Sequence, residues 1–170
     1  MKVLFSTIFA FLFFFSSTAA AAESAFTVSY RGMVGLSGRF EHPLAERMVL
    51  FEEVGASGWL VYGDDPTGGE PSPMLLRLHG KLGVDVALQD PMASHWYVGG
   101  RVVGAYLLNT TGDSMEAAAQ GTLGRKWNAG DWRLQLGAGV GIHNFWDLTD
   151  STNTLFVPLP HVEARIGRRF

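Results

Sequence analysis

The sequence predicts an all-β chain, an eight-stranded antiparallel up-and-down transmembrane β-barrel, and three observations carry that prediction. The first is the stretch Met74 to Leu88, MLLRLHGKLGVDVAL, where Met74, Leu76, Leu78, Gly80, Leu82, Val84, Val86 and Leu88 share one parity and Arg77, His79, Lys81 and Asp85 the other. Such alternation is a strand with one greasy and one charged face. At about fifteen residues it is far longer than the usual strand of about five or six. The second is that, past the N-terminal run, no apolar segment approaches the ~20 residues of a spanning helix. Any membrane crossing must then be made by strands, which lipid tolerates only as a closed barrel. The third is that the same alternation recurs along the chain, interrupted by polar, Pro- and Gly-containing breaks.

Taken in order, the chain opens with Met1-Lys2, an apolar run from Val3 to Phe15 broken only by Ser6-Thr7, then Ser16-Ser17-Thr18 and Ala19 to Ala22. This is the layout of a secretory signal peptide over residues 1–22, with cleavage after Ala20 or Ala22, and the run is too short for an uncleaved anchor. Residues 23–170 then form one domain. Removing Lys2 from the 13 basic residues leaves 12 against 16 acidic ones, a balance of −4 that argues against a nucleic-acid partner. There is no cysteine, so an exported chain has no disulfide, thiolate metal site or cysteine nucleophile.

The predicted strands are Phe26 to Phe40, Leu44 to Val54, Ser57 to Gly63, Met74 to Leu88, Trp96 to Leu108, Ala117 to Trp127, Trp132 to Trp146 and Phe156 to Phe170. Gly55-Ala56-Ser57-Gly58 supplies the turn that divides the second from the third, and Glu52-Glu53 interrupts the alternation there. DDPTGGEPSP (64–73), NTTGDS (109–114) and DLTDSTN (147–153) are longer polar loops, while QDPMAS (89–94) and NAG (128–130) are short turns. Bacterial barrels have an even strand number, short periplasmic turns and longer outer loops. That rule puts GASG, QDPMAS and NAG on one membrane face and the three longer loops on the other.

The aromatic residues fit this assignment, since amphipathic rings collect at headgroup level. Trp59, Trp96, Trp127 and Trp132 border the short turns, and Tyr106, Trp146 and Phe156 lie towards the opposite end.

The last residue, Phe170, follows Ile166, Ala164 and Val162 at alternate positions. This resembles the C-terminal signature of bacterial outer-membrane β-barrels, and the mature chain is similar to small barrels of the outer-membrane protein A or X type. Arg168 departs from the signature, where an apolar residue is usual. The resemblance implies the outer membrane of a Gram-negative bacterium, with outer-membrane lipid, lipopolysaccharide and the barrel assembly machinery as partners and Phe170 as the assembly signal.

Eight strands enclose a space that side chains can fill. The inward set is Arg31, Arg77, His79, Lys81, Asp85, Arg101, Glu116, Lys126, Arg133, Glu163 and Arg165, which reads as an ion-pair network plugging the lumen. Bases outnumber acids in it, so a narrow anion path is the sharper alternative. The lipid A deacylase family carries a His-x-Ser motif, and none of the five histidines here has Ser two residues later. The one cluster that offers a hydrolytic site is His143 with Asp147, Asp150 and Ser151, and a structural role for His143 in the lumen is the simpler reading. No histidine spacing suggests a metal, and no cofactor is implied. Glu41, His42, Asp64, Asp65, Glu70, Asp113, Asp147 and Asp150 fall in the predicted outer loops, which read as solvated acidic surface.

The expected function is a small outer-membrane barrel with a structural, adhesive or envelope-integrity role and a filled lumen. A lipid A or phospholipid hydrolase and a soluble periplasmic lipocalin-like barrel are the competing classes.

Overall fold

The structure, a computed structural model of the 170-residue chain, describes residues 21–29, 33–59, 76–108, 114–147 and 154–170. Eight strands follow one another: β1 (Ala21–Ser29), β2 (Met33–Ala45), β3 (Met48–Trp59), β4 (Leu76–Ala87), β5 (His95–Leu108), β6 (Ser114–Ala129), β7 (Trp132–Asp147) and β8 (Thr154–Arg169). Each pairs antiparallel with its neighbour in sequence, and β8 returns to β1 to close the barrel. At that seam Phe26 faces Ile166 and Val28 faces Ala164. Below it the Phe170 N–H donates to the Ala22 carbonyl at 2.9 Å, so the last residue is tied to the first strand.

Closure turns the two-residue alternation into an inside and an outside. Leu36, Val140 and Ile142 project outward at 70%, 69% and 61% exposure, with Leu78, Val102, Leu123 and Ile166 on the same surface. Glu23, Arg39, Glu53, Asp85, Lys126 and Arg165 point inward and are buried. A continuous apolar exterior around a charged interior suits lipid and is the reverse of a water-soluble barrel.

The short connections share one end. Glu46–Arg47 joins β2 to β3, and Gly130–Asp131 joins β6 to β7. Gly130 has φ of 59°, a left-handed conformation that glycine adopts at no steric cost. Between β4 and β5, Asp90 Oδ1 accepts the Met92 N–H at 2.9 Å, and Asn128 Nδ2 donates to the Ala93 carbonyl at 3.2 Å. The second bond braces one turn against the next.

The strand count agrees with the sequence reading, but its division before Met74 does not. Phe26 to Phe40 is not one strand: it spans the end of β1 and most of β2. Partners here are Phe26 with Leu36 and Val28 with Val34, so their numbers sum to an even value and both strands put even-numbered residues on the same face. Gly55 to Gly58 is not a turn either; it lies within β3, opposite Leu76 to His79. Gly55 is needed for space, because a Cβ there would sit 2.7 Å from the Leu36 carbonyl and 2.9 Å from the His79 ring. Glu41 and His42, expected in an outer loop, belong to β2 near the short-turn end. The loop acids Asp64, Asp65, Glu70, Asp113 and Asp150 lie outside the described residues.

Because the protein has no cysteine, single-cysteine variants can locate this turn. In refolded protein reconstituted in vesicles permeabilised to the reagent, Glu46→Cys is expected to react with a membrane-impermeant maleimide while Ala56→Cys stays protected. Equal labelling at the two positions would restore the turn to residues 55–58.

Candidate functional site: a lumen threaded by ion pairs

The inward parity of every strand delivers at least one charged side chain to the lumen, and these meet in one unbroken string. From the short-turn end, Lys126 Nζ contacts Asp85 at 2.7 Å, Asp85 contacts Arg39 at 2.7 Å, and Arg39 contacts Glu41 at 3.0 Å. Glu41 accepts from Arg133 at 2.6 Å, which reaches Glu23 at 3.3 Å, and Glu23 accepts from Arg165 at 2.8 Å. Arg165 pairs with Glu53, and Glu53 accepts from Lys81 at 2.7 Å. Lys81 lies 3.8 Å from Glu163, which accepts from Arg101 at 2.7 Å. Arg101 donates to Gln120 at 2.7 Å, and the Gln120 amide lies 3.3 Å from His143 Nε2. His143 Nδ1 is 2.6 Å from Glu116, which also accepts from Arg77 at 3.0 Å.

Among the described residues each of the six inward carboxylates, Glu23, Glu41, Glu53, Asp85, Glu116 and Glu163, therefore touches at least two basic groups. Burying a charge is tolerable only with such partners.

Two aromatic rings are packed into this string. The Arg39 guanidinium stacks 3.7 Å above Phe51, and Lys126 Nζ lies 4.7 Å from the Tyr97 ring, whose hydroxyl accepts from Gln135 at 2.7 Å. Inward glycines make room for them. A Cβ on Gly83 would lie 2.7 Å from Phe51, and one on Gly124 would lie 2.6 Å from Tyr97. The space bounded by Arg39, Phe51, Asp85, Tyr97, Thr122 and Gln135 cannot admit a water molecule.

The sequence-predicted lumen residues Arg77, His79, Lys81, Asp85, Arg101, Glu116, Lys126, Arg133, Glu163 and Arg165 all lie on the inward parity. Arg31 lies outside the described residues. His79 is 3.6 Å from Glu53, and His161 Nε2 is 2.8 Å from the Thr122 hydroxyl. Glu23, Glu41 and Glu53 were absent from that predicted set, and they bring its apparent basic excess close to balance. Glu23 borders the predicted leader, Glu41 follows a strand whose end was misplaced, and Glu53 sits beside a false turn. Register alone would have placed them.

Of the hydrolytic cluster, His143 is the one member whose side chain the structure describes. Ser151 and Asp150 lie outside the described residues, Asp147 is described only as the backbone end of β7, and the acid on His143 is Glu116 from β6. Its Nδ1 faces Glu116 and its Nε2 faces the Gln120 amide. That imidazole is held on both sides by neutral or acidic partners and faces no hydroxyl in the contacts described. Among the described residues no group of three or more His, Asp or Glu is placed to hold a metal.

The outer surface sorts the aromatic residues. Trp96, Trp127 and Trp132 take outward positions next to the short turns, and Tyr106 and Trp146 take outward positions towards the other end. Trp59 departs from expectation: it ends β3 at the long-loop end, opposite Met33, at a lumen-side register position.

No family model matches the sequence, and no curated protein matches it. The fold does match solved structures. The crystal structure of Neisserial surface protein A (NspA) aligns with TM-score 0.53 and 10% identity over 88% of this chain and 95% of that one. The N-terminal β-barrel domain of Pseudomonas aeruginosa OprF aligns with TM-score 0.42 and 10% identity over 88% of this chain and 96% of that chain. A de novo designed transmembrane β-barrel gives TM-score 0.39 and 14% identity over 88% and 93% of the two chains. With NspA the chain shares the fold, here a closed barrel of eight antiparallel strands. At 10% identity the likeness to NspA carries no residue role.

Arg165 joins Glu23 to Glu53, so Arg165→Met takes one cation from each of two buried carboxylates, leaving Glu23 with Arg133 and Glu53 with Lys81 and His79. It is expected to cost about 3–5 kcal/mol in urea unfolding from phospholipid vesicles. Arg168→Met, whose exposed side chain is 3.8 Å from Asp131, is expected to cost under about 1 kcal/mol.

Proposed function

We propose that the protein is a small outer-membrane β-barrel of a Gram-negative envelope, non-enzymatic, with a structural, adhesive or envelope-integrity role. The observation that carries this reading is the string of paired charges from Lys126 to Arg77, which occupies the lumen with contributions from all eight strands. A porin-like path needs an open, solvated lumen, and a lipocalin-like site needs an apolar one. The apolar exterior argues for lipid around the barrel. The outer membrane is favoured by the leader-like run over residues 1–22 and by the alternate apolar positions Val162, Ala164 and Ile166 before Phe170, features that the export pathway and assembly machinery read in barrels of this kind. Lipopolysaccharide at the long-loop end is the natural neighbour of such a barrel.

The reading predicts a silent protein in planar bilayers. Discrete conductance that falls on Arg101→Glu would replace it with the anion-path reading. Mass spectrometry of lipid A and phospholipids from cells with and without the protein is expected to give identical acylation, and a lost or gained acyl chain would move the assignment to a hydrolase based on His143.

Of the two cleavage sites, the one after Ala20 fits the strand pairing. Ala21 and Ala22 pair with Glu41 and Phe40, and the Ala22 carbonyl accepts the Phe170 N–H. N-terminal sequencing of the membrane-extracted protein is expected to begin at Ala21. A start at Glu23 would remove two rungs of the β1–β2 ladder, and an intact Met1 would remove the leader from the proposal.

A further inference from the structure

Among the described residues one cation on the lipid side, Arg125, has no counter-charge. Arg125 takes an outward position in β6, opposite Trp96 on β5 and Leu136 on β7, at the aromatic level near the short turns. Its guanidinium carbon lies 5.7 Å from the Trp96 ring and 5.2 Å from the Trp127 ring. Among the described residues no ion pair includes it, and its Nε is enclosed without a hydrogen-bond acceptor. Arg168, the other arginine of this outward girdle, has Asp131 at 3.8 Å. A guanidinium at the edge of an apolar band retains its charge and calls for an anion that lipid itself can provide. Cation–π contact with two indoles orients it without neutralising it.

Along β6 from Arg125 the outward-facing Leu123, 52% exposed, comes first, and past it a shallow trough runs towards the middle of the barrel wall. Along β6 the outward residues beyond Leu123 are Gly121, Ala119 and Ala117, and Gly121 is opposite Gly100 while Ala117 is opposite Gly104. A Cβ on Gly100, Gly104 or Gly121 would meet no atom within 4 Å, so the floor is open to the lipid side. Val140 and Ile142 of β7, exposed at 69% and 61%, form one bank, and Val102 of β5 stands on the other. From Gly121 to Ala117 the floor extends about 13 Å at ~3.3 Å per residue, enough to seat most of one acyl chain.

We propose that Arg125, set between Trp96 and Trp127, binds the phosphodiester of a glycerophospholipid in the leaflet at the short-turn end, with one acyl chain lying in the Gly121–Ala117 trough. Guanidinium and phosphate suit one another in charge and in paired N–H···O geometry. The inference rests on the transmembrane fold and not on the physiological role or on which membrane holds the barrel.

The test uses the full mature chain refolded in dodecyl maltoside, which carries no phosphate, and titrated with palmitoyl-oleoyl phosphatidylglycerol under native mass spectrometry. Folding of each variant is checked beforehand by heat-modifiable gel mobility. Wild-type protein is expected to retain one lipid, and Arg125→Gln to weaken retention at least about tenfold, the weight of one charge-assisted contact. Arg168→Gln is expected to behave as wild type. Gly121→Leu, which fills the trough with an apolar side chain facing lipid, is expected to weaken the phospholipid but leave competition by inorganic phosphate unchanged. Dioleoylglycerol, with the chains and no phosphate, is expected not to be retained. Equal retention by wild type and Arg125→Gln, or retention of dioleoylglycerol as strong as that of the phospholipid, would overturn the site.

Discussion

A carboxylate inside a sealed eight-stranded barrel has neither bulk water nor lipid headgroups to answer its charge, so its only partners are the side chains that other strands bring. Everything else in this structure follows from that constraint and from the matching one on the backbone, that no strand in a bilayer can leave an edge unpaired. The second constraint closes β8 onto β1; the first decides what closure must bring together. Glu53 of β3 is answered by Lys81 on the adjacent strand and by Arg165 across the lumen, and Glu41 of β2 by Arg133 of β7. The contacts with Arg165 and Arg133 join strands far apart in sequence, and they exist only when the whole cylinder is in register.

Such a string is better understood as a specifier of register than as a source of stability. A buried ion pair recovers through Coulomb attraction roughly what desolvation costs, so pairs of this kind add little net free energy over apolar packing. Their leverage is against alternatives. A one-residue slip of β3 on β4 would carry Glu53 and Phe51 to the lipid side and break the contacts of Glu53 with Lys81 and Arg165 and of Phe51 with Arg39. The exterior gives weaker discrimination: Leu, Val and Ile are interchangeable against acyl chains, and a two-residue slip keeps them outside. The lumen supplies what the lipid face lacks.

The sequence exposes these two surfaces unequally. The fold class, the number of strands and the inward set from Arg77 to Arg165 were readable because a strand with lipid on one side and charges on the other has the strongest period-two pattern a soluble-looking composition can carry. The division of residues 21–63 was not. A pair of strands whose partners sum to an even number, such as Val28 with Val34, keeps one parity on one face and hides the division between them. The real turn at Glu46–Arg47 holds no Gly, Pro or Asn, while Gly55 marks a close approach of β3 to its neighbours. Turn residues signal conformational need, and in a tightly filled barrel glycine answers a spatial one as often. Misplacing this boundary removed Glu41 and Glu53 from the predicted lumen, and with them the balance of charge.

The remaining irregularity, the adjacent Glu52 and Glu53, resolves into one acid on each face. Glu53 joins the lumen string, whereas Glu52 is on the outward parity beside Phe40 and Leu82 and lies 3.3 Å from His42. Those apolar neighbours put it within the lipid-facing band rather than at its rim, where an ionised group costs least. A diagonal pairing across β2 and β3 is the one local answer open to such a carboxyl, because imidazole can meet it as a neutral hydrogen-bond partner or as a cation. The barrel thus obeys a single rule on both surfaces: inside, acids are shared between strands at a distance, and outside, the acid that breaks the pattern is matched from the next strand.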